Sequence, residues 1–353
     1  MCIFIQARGA QPRRTTYKGA AISDPNTTAN QHYVSQVEQR LNSSNPNASL
    51  PNRRIYSFSL VVRESFAVAL DSTQGQLISK NLALRDLFSF DVIGDKKRLN
   101  FEKSFQQYEA GMEMNTVSLL RKLDDGSGDL KKEILEIFVA KFMNFLRNPY
   151  SVKKVLNSIG SILNFNPTDP ALLAEYNAVL AGRKPHQAFL CSQLGISTEE
   201  YQMWLSALFM MFMKPAPTEP NFMESTVKGI FETPSGFPMV CVYRYSGEHS
   251  DKRCLISDRG YSSPLPEPHT SFSFNLASNA FIVYLFASIE HLELPYVPHP
   301  DVLELYRKQK KNVRVVPYVN DLAALARYNQ NTIYQCHHAV YSSSRSIYGG
   351  NLT

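Results

Sequence analysis

The sequence predicts an α+β fold: a mostly helical middle packed on a small, mainly antiparallel sheet formed by N-terminal and C-terminal strands. Three observations predict it. β-Branched and aromatic residues crowd the stretch R-R-I-Y-S-F-S-L-V-V from Arg53, as strands favour. From Phe101 onward, apolar residues recur near the helical period of 3.6. Beyond the proline-rich loop Lys214–Pro220 the texture returns to strand.

The elements follow in order. Residues 1–28 mix Arg, Thr, Ala, Asn and Pro without periodicity and read as a flexible tail, made basic by Arg8, Arg13, Arg14 and Lys18. One α+β domain is expected over residues 29–348, with a helical core about 96–213 and a short tail at 349–353. Ordered structure begins at N-Q-H-Y-V-S-Q, Asn30 to Gln36. The strand from Arg53, the segment S-F-A-V-A-L and a turn at Asp71–Gly75 suggest a hairpin or meander across residues 54–80.

One helix is expected from Phe101 to Leu123, with Phe101, Phe105, Tyr108, Met112, Val117 and Leu120 near one face. D-D-G-S-G-D breaks it, and a second helix runs from Leu130 to Arg147, where Pro149 disfavours helix in the residue before it. Further helices fit Val152–Leu163, Pro170–Ala181 and Thr198–Met213. Strands then fit F-P-M-V-C-V-Y-R-Y, K-R-C-L-I-S-D, S-F-S-F-N-L and A-F-I-V-Y-L-F-A, the last apolar throughout, as in a strand buried on both faces. The sheet is expected to join residues near 54–70 with those near 236–288. D-V-L-E-L-Y-R-K-Q-K-K and V-N-D-L-A-A-L-A-R-Y-N read as late helices, the first basic and amphipathic.

Composition narrows the class. A chain of 353 residues with 44% hydrophobic and 19% charged residues is a soluble globular one that can bury a core without staples. A net charge of +6 permits nucleic acid or another anionic partner without requiring it. Cys2, Cys191, Cys241, Cys254 and Cys336 are odd in number and hold no C-x-x-C pair, which disfavours a disulfide framework and a structural zinc site. The apolar run at the N-terminus is too short for a signal-peptide core. The run Trp204–Met213 is far below the roughly 20 residues needed to cross a bilayer. A cytoplasmic protein with no membrane partner is expected.

No strong catalytic signature is present: no G-x-x-x-x-G-K, G-x-S-x-G, H-E-x-x-H or G-x-G-x-x-G. The doublet His337–His338 is a poor chelate by itself, since neighbouring residues point apart. Several stretches taken in order carry a resemblance. They are Q-H-Y-V from Gln31, I-Y-S-F from Ile55, K-N-L-A-L from Lys80, the helix bearing Glu102 and Glu109, Arg147 to Pro149, I-S-D-R-G-Y with Asp258, and V-N-D-L-A-A followed by H-A-V-Y-S-S. In that order, over roughly residues 30–345, the chain resembles the bacterial domain-of-unknown-function family 4238. The resemblance implies an architecture more than an activity. Ser35 stands where that family usually has Pro, and D-R-G-Y, with Arg259 and Gly260, where it usually has D-N-P.

The motifs supply candidate residues. Glu102 and Glu109, seven apart, lie on one helix face on the order of 10 Å apart. Arg147 is their expected partner, because a buried carboxylate requires one. His32 has an imidazole that titrates near neutrality, with Tyr33 beside it. If His32, Glu102, Glu109 and Asp258 converge, they suit a hard cation such as Mg or Mn acting on a phosphodiester; otherwise metal and cofactor stay unknown. Arg307, Lys308, Lys310, Lys311 and Arg314 form a basic run suited to a phosphate backbone. The family-like N-x-x-x-A pattern adds Asn320 as a supporting residue.

Two functions are therefore expected. One is a metal-dependent hydrolase acting on nucleic acid, as a toxin-like or phage-defence effector, with a protein partner encoded nearby. The other is a non-enzymatic binding or regulatory protein in which the same polar residues form a structural network.

Overall fold

A computed structural model describes residues 30–353 apart from 93–96, 127, 215–217, 234–235, 266–269, 289–300, 302–303, 306–307 and 309–312. The expected tail over residues 1–28 lies outside the described residues, as do Arg307, Lys310 and Lys311.

The chain opens with β1 (Asn30–His32), α1 (Gln36–Arg40), β2 (Arg54–Val62), β3 (Ala67–Leu70), β4 (Gln76–Leu77), β5 (Ala83–Arg85), β6 (Ser89–Val92) and β7 (Lys97–Asn100). A helical run follows: α2 (Glu102–Glu109), α3 (Met112–Asp124), α4 (Lys131–Arg147), α5 (Val152–Ile159), α6 (Pro170–Ala181), α7 (Gln187–Leu194), α8 (Thr198–Phe212) and α9 (Phe222–Glu232). The remainder holds β8 (Gly236–Arg244), β9 (Ile256–Ser257), β10 (Thr270–Ala277), β11 (Ala280–Ser288), β12 (Arg314–Val319), α10 (Leu322–Gln335), β13 (Ala339–Ser342) and β14 (Asn351–Leu352).

Helix starts obey local chemistry. Ser35 caps α1, its Oγ accepting from the N–H of Val37 at 3.0 Å. Asp169 caps α6, with Pro170 at the first helical position. Ser197 and Glu200 open α8 with a reciprocal capping box. The single helix expected over Phe101–Leu123 is two, because Gly111 stands before α3 and glycine is a poor helix residue.

These elements form two compact units. The helical unit takes its described residues from 30–31, 84–107 and 146–226. Its core gathers on α8, whose residues from Leu205 to Phe212 are all buried. The Trp204 Nε1–H donates to the Leu146 carbonyl at 2.8 Å, and the Tyr201 hydroxyl donates to that of Leu87 at 2.7 Å. Phe88 meets Phe105 edge-on with ring centres 5.0 Å apart. A helix apolar all round belongs inside a core. Among the described residues no helix is long and apolar enough to cross a membrane.

The sheet unit comprises residues 32–83, 108–145 and 227–353. The expectation of one small sheet is corrected: among the described residues the strands form four, the two-stranded β1-β5 and β6-β7 and two larger sheets in this unit. The first runs β14-β3-β2-β13-β9, with β4 also on β2. The second runs β10-β11-β8-β12. The N-terminal strands do join C-terminal ones, but the partner of β2 is β13, with Val340 opposite Phe58. The 236–288 strands form the second sheet instead, where β8 pairs antiparallel with β11 and parallel with β12. The last residues, expected as a tail, pair in parallel with β3 as β14 through the N–H groups of Asn351 and Thr353, and the Asn351 side chain donates to the Ser65 carbonyl at 2.6 Å.

Helix α10 serves both sheets. Ile333 packs with Phe58, Val68 and Val340 of the first. Leu325 and Tyr328 pack with Phe281 of the second. The other face of the second sheet meets α4, where Phe138 lies 4.7 Å from Tyr284 and 5.7 Å from Phe272, ring centre to ring centre.

Candidate functional site

The Q-H-Y-V stretch is tied down by its own polar groups. A His32 ring nitrogen lies 3.0 Å from the Asn81 carbonyl, and the N–H of buried Tyr33 donates to the Leu82 carbonyl at 3.1 Å. Helix α1 then carries Glu38 into the interior. Its carboxylate pairs with Lys141 of α4 at 2.5 Å and accepts from the Asn144 amide at 3.0 Å. Both charged side chains are almost wholly buried, at 0% and 2% exposure. Burial pushes the Lys141 ammonium below its ordinary pKa, and Glu38 opposes that. Beside the pair, the amides of Asn42 and Asn275 bond each other at 2.7 and 3.0 Å.

A second polar cluster sits where α10 turns into β13. After β9 the chain reverses through Ser257–Gly260, closed by the Gly260 N–H donating to the Ser257 carbonyl at 2.9 Å. Gly260 has φ of 73°, in the left-handed region that glycine tolerates. The turn presents Asp258, which is buried. Its Oδ1 accepts from the N–H of His337 at 2.7 Å, and its Oδ2 from those of His338 at 2.5 Å and Ala339 at 3.1 Å. Arg63 holds the same segment through its carbonyls, donating to Tyr334, to Cys336 at 2.8 Å and to His337 at 3.4 Å. A carboxylate on the amides and a guanidinium on the helix C-terminal carbonyls form a two-sided clamp.

The clamp sets the electrostatics around it. His337 and His338 have ring centres 4.0 Å apart. Burial, then His338, Arg259 and Arg63, push the His337 pKa down from 6.5 to about 4. Burial raises the Asp258 pKa despite the three N–H donors and nearby Arg259. Arg259 is half-buried, and its Nε is shielded from solvent with no hydrogen-bond partner.

The other predicted residues stand as follows. Glu102 opens α2 in the helical unit, its N–H donating to Asn100 Oδ1 at 3.0 Å. Glu109 ends α2 within the sheet unit, half-buried. Arg147 is buried in the helical unit, its guanidinium 4.9 Å from the Phe105 ring centre. Asn320 adopts φ of 59°, and its Oδ1 accepts from the Ser246 N–H at 2.9 Å, just before α10. Lys308 is exposed and pairs with Glu304 at 3.2 Å. Arg314 is exposed at the start of edge strand β12.

Among the described residues no three His, Cys, Asp or Glu side chains are placed to hold one metal ion. His32, Glu102, Glu109 and Asp258, all described, therefore do not make the cluster that Mg or Mn would need. Sequence reasoning passed over Glu38, Lys141 and Arg63. Lys141 carried a signal: it interrupts the apolar run I-F-V-A-K-F-M-N-F-L, where a charge must find a buried partner. Compared with protein-family models, with curated proteins and with solved structures, the chain matches none.

Proposed function

We propose that the chain is a non-enzymatic binding or regulatory protein whose partner presents anionic groups, with nucleic acid as the partner class. One observation carries the reading. Asp258, the buried acid at the heart of the candidate set, has both carboxylate oxygens occupied by three backbone N–H groups, so it acts as scaffold. The clamp it builds carries a surplus of positive charge, with the Arg63 and Arg259 guanidiniums near one carboxylate. The net charge of +6 and the basic stretch from Arg307 to Arg314 fit the same partner.

The hydrolase reading needs acid–base residues gathered at one point. The resemblance to domain-of-unknown-function family 4238 is kept as a proposal on the order of its motifs. A cytoplasmic location is proposed on the four buried free thiols of Cys191, Cys241, Cys254 and Cys336.

The test has two parts. Fluorescence anisotropy with labelled single- and double-stranded oligonucleotides, at about 50 and 200 mM salt, should show binding that weakens with salt. Calorimetric titration of Mg²⁺ and Mn²⁺ should show no saturable site. A saturable metal site lost in Glu109→Gln would return the hydrolase to first place.

A further inference from the structure

Arg259 lies close enough to stabilise the charged form of Asp258, yet its Nε–H donates to no group of the clamp. Its neighbour Asp258 already accepts three backbone N–H groups. Arg63 is engaged with the carbonyls of residues 334, 336 and 337. The Arg259 Nε is buried without an acceptor. A buried donor without an acceptor costs free energy that a bound acceptor would recover. The guanidinium offers its N–H groups as a rigid planar fork, a shape that matches oxyanions two-pronged. The His337 ring lies within its electrostatic reach, and the exposed His338 ring packs on that of His337.

We infer that the Asp258–Gly260 turn is a binding site for a phosphate oxyanion, with Arg259 as its principal donor and His338 at its rim. Asp258 and Arg63 act as positioning residues, holding the 334–339 segment that presents the histidines. Burial does most to depress the His337 pKa, and His338, Arg259 and Arg63 add to it, which puts both guanidiniums within electrostatic reach of that ring. The inference rests on the binding reading above and names the group recognised. Phosphate can come as a free ion or monoester, or as the diester backbone of nucleic acid, and both present the same oxyanion.

The experiment titrates inorganic phosphate into the full chain by calorimetry, while NMR follows the imidazole resonances of His337 and His338. Saturable binding that moves those resonances is expected. Arg259→Gln should weaken it by about tenfold or more. Arg259→Lys should fall between, keeping the charge but losing the fork. Lys228→Gln, a change at an exposed lysine on α9, should bind as the parent does. Circular dichroism checks each variant for folding, and Arg259→Lys carries the test if Arg259→Gln does not fold. A single-stranded oligonucleotide that displaces phosphate identifies the diester backbone as the source. Failure to displace leaves the oxyanion site standing and overturns the nucleic-acid reading. Phosphate binding that is absent, equal in Arg259→Gln, or silent at the histidines overturns the site itself.

Discussion

Two polar clusters of the sheet unit use similar chemistry to different ends. The Glu38–Lys141–Asn144 group is sealed, with both charges at 2% exposure or less and each charge matched by the other. The Asp258–Arg63–Arg259 group is open at one side, with exposed His338 at its rim and more positive than negative charge. Balance and burial together mark a scaffold, because an unmatched charge cannot be kept in a sealed interior. Imbalance at a half-buried position marks a place where a partner can supply the missing charge. Residue type alone does not separate the two, since both contain a carboxylate and a cation.

The sealed cluster should be the more costly of the two to break. Lys141→Met strands the Glu38 carboxylate and should cost about 3–5 kcal/mol in chemical denaturation. The double variant Glu38→Gln with Lys141→Met should recover most of that, because no charge remains buried. A double variant as unstable as the single one would mean that the pair's geometry, rather than its charge, holds α1 to α4.

Next comes the clamp. Asp258→Asn keeps the shape but replaces a carboxylate oxygen that accepts by an amide that donates. It should cost about 1–3 kcal/mol, read by the same denaturation. By contrast, Arg259→Gln should change stability by no more than about 0.5 kcal/mol, since the Nε–H of this half-buried side chain makes no hydrogen bond. Similar losses at Asp258 and Arg259 would erase the distinction between clamp and site.

The smallest effect is a slope. An imidazole in the unfolded chain titrates near 6.5, and His337 in the folded chain near about 4. As pH falls below 6.5 the unfolded state takes up the proton first, so the stability His337 contributes is full above 6.5 and is lost as pH falls to about 4. Asp258 acts in the opposite sense, because burial raises its pKa above 3.8 and its contribution fades as pH rises. The difference between the parent and His337→Gln isolates the histidine: the parent should lose more stability than the variant across that window.

The sequence was most legible where local chemistry decides. The cap Asp169 with Pro170 set the start of α6 at the expected residue, and the crowding of Ile55, Tyr56 and Phe58 marked β2. It was least legible where distant segments decide. Nothing local says that β2 pairs with β13 some 280 residues later, as Phe58 does with Val340. The parallel strand β12 escaped because Pro317 interrupts R-V-V-P-Y-V, and an edge strand tolerates a proline that a central one rejects. Asp258 stood in the sequence as a candidate catalytic acid, whereas the partners it has here include the backbone amides of residues 337–339, which side-chain patterns do not reveal. Arg259 was visible only as a departure from D-N-P, and the missing acceptor at its Nε is a property of the fold alone.

The proposed site requires that the Arg259 guanidinium, whose Nε lacks an acceptor, take up an oxyanion from outside the chain. Thermal unfolding in phosphate against chloride of equal ionic strength tests it most directly, because a ligand of the folded state raises the midpoint with its concentration. Phosphate should raise the midpoint of the parent and leave that of Arg259→Gln where chloride puts it. An equal rise in both proteins, or none in either, would contradict the claim.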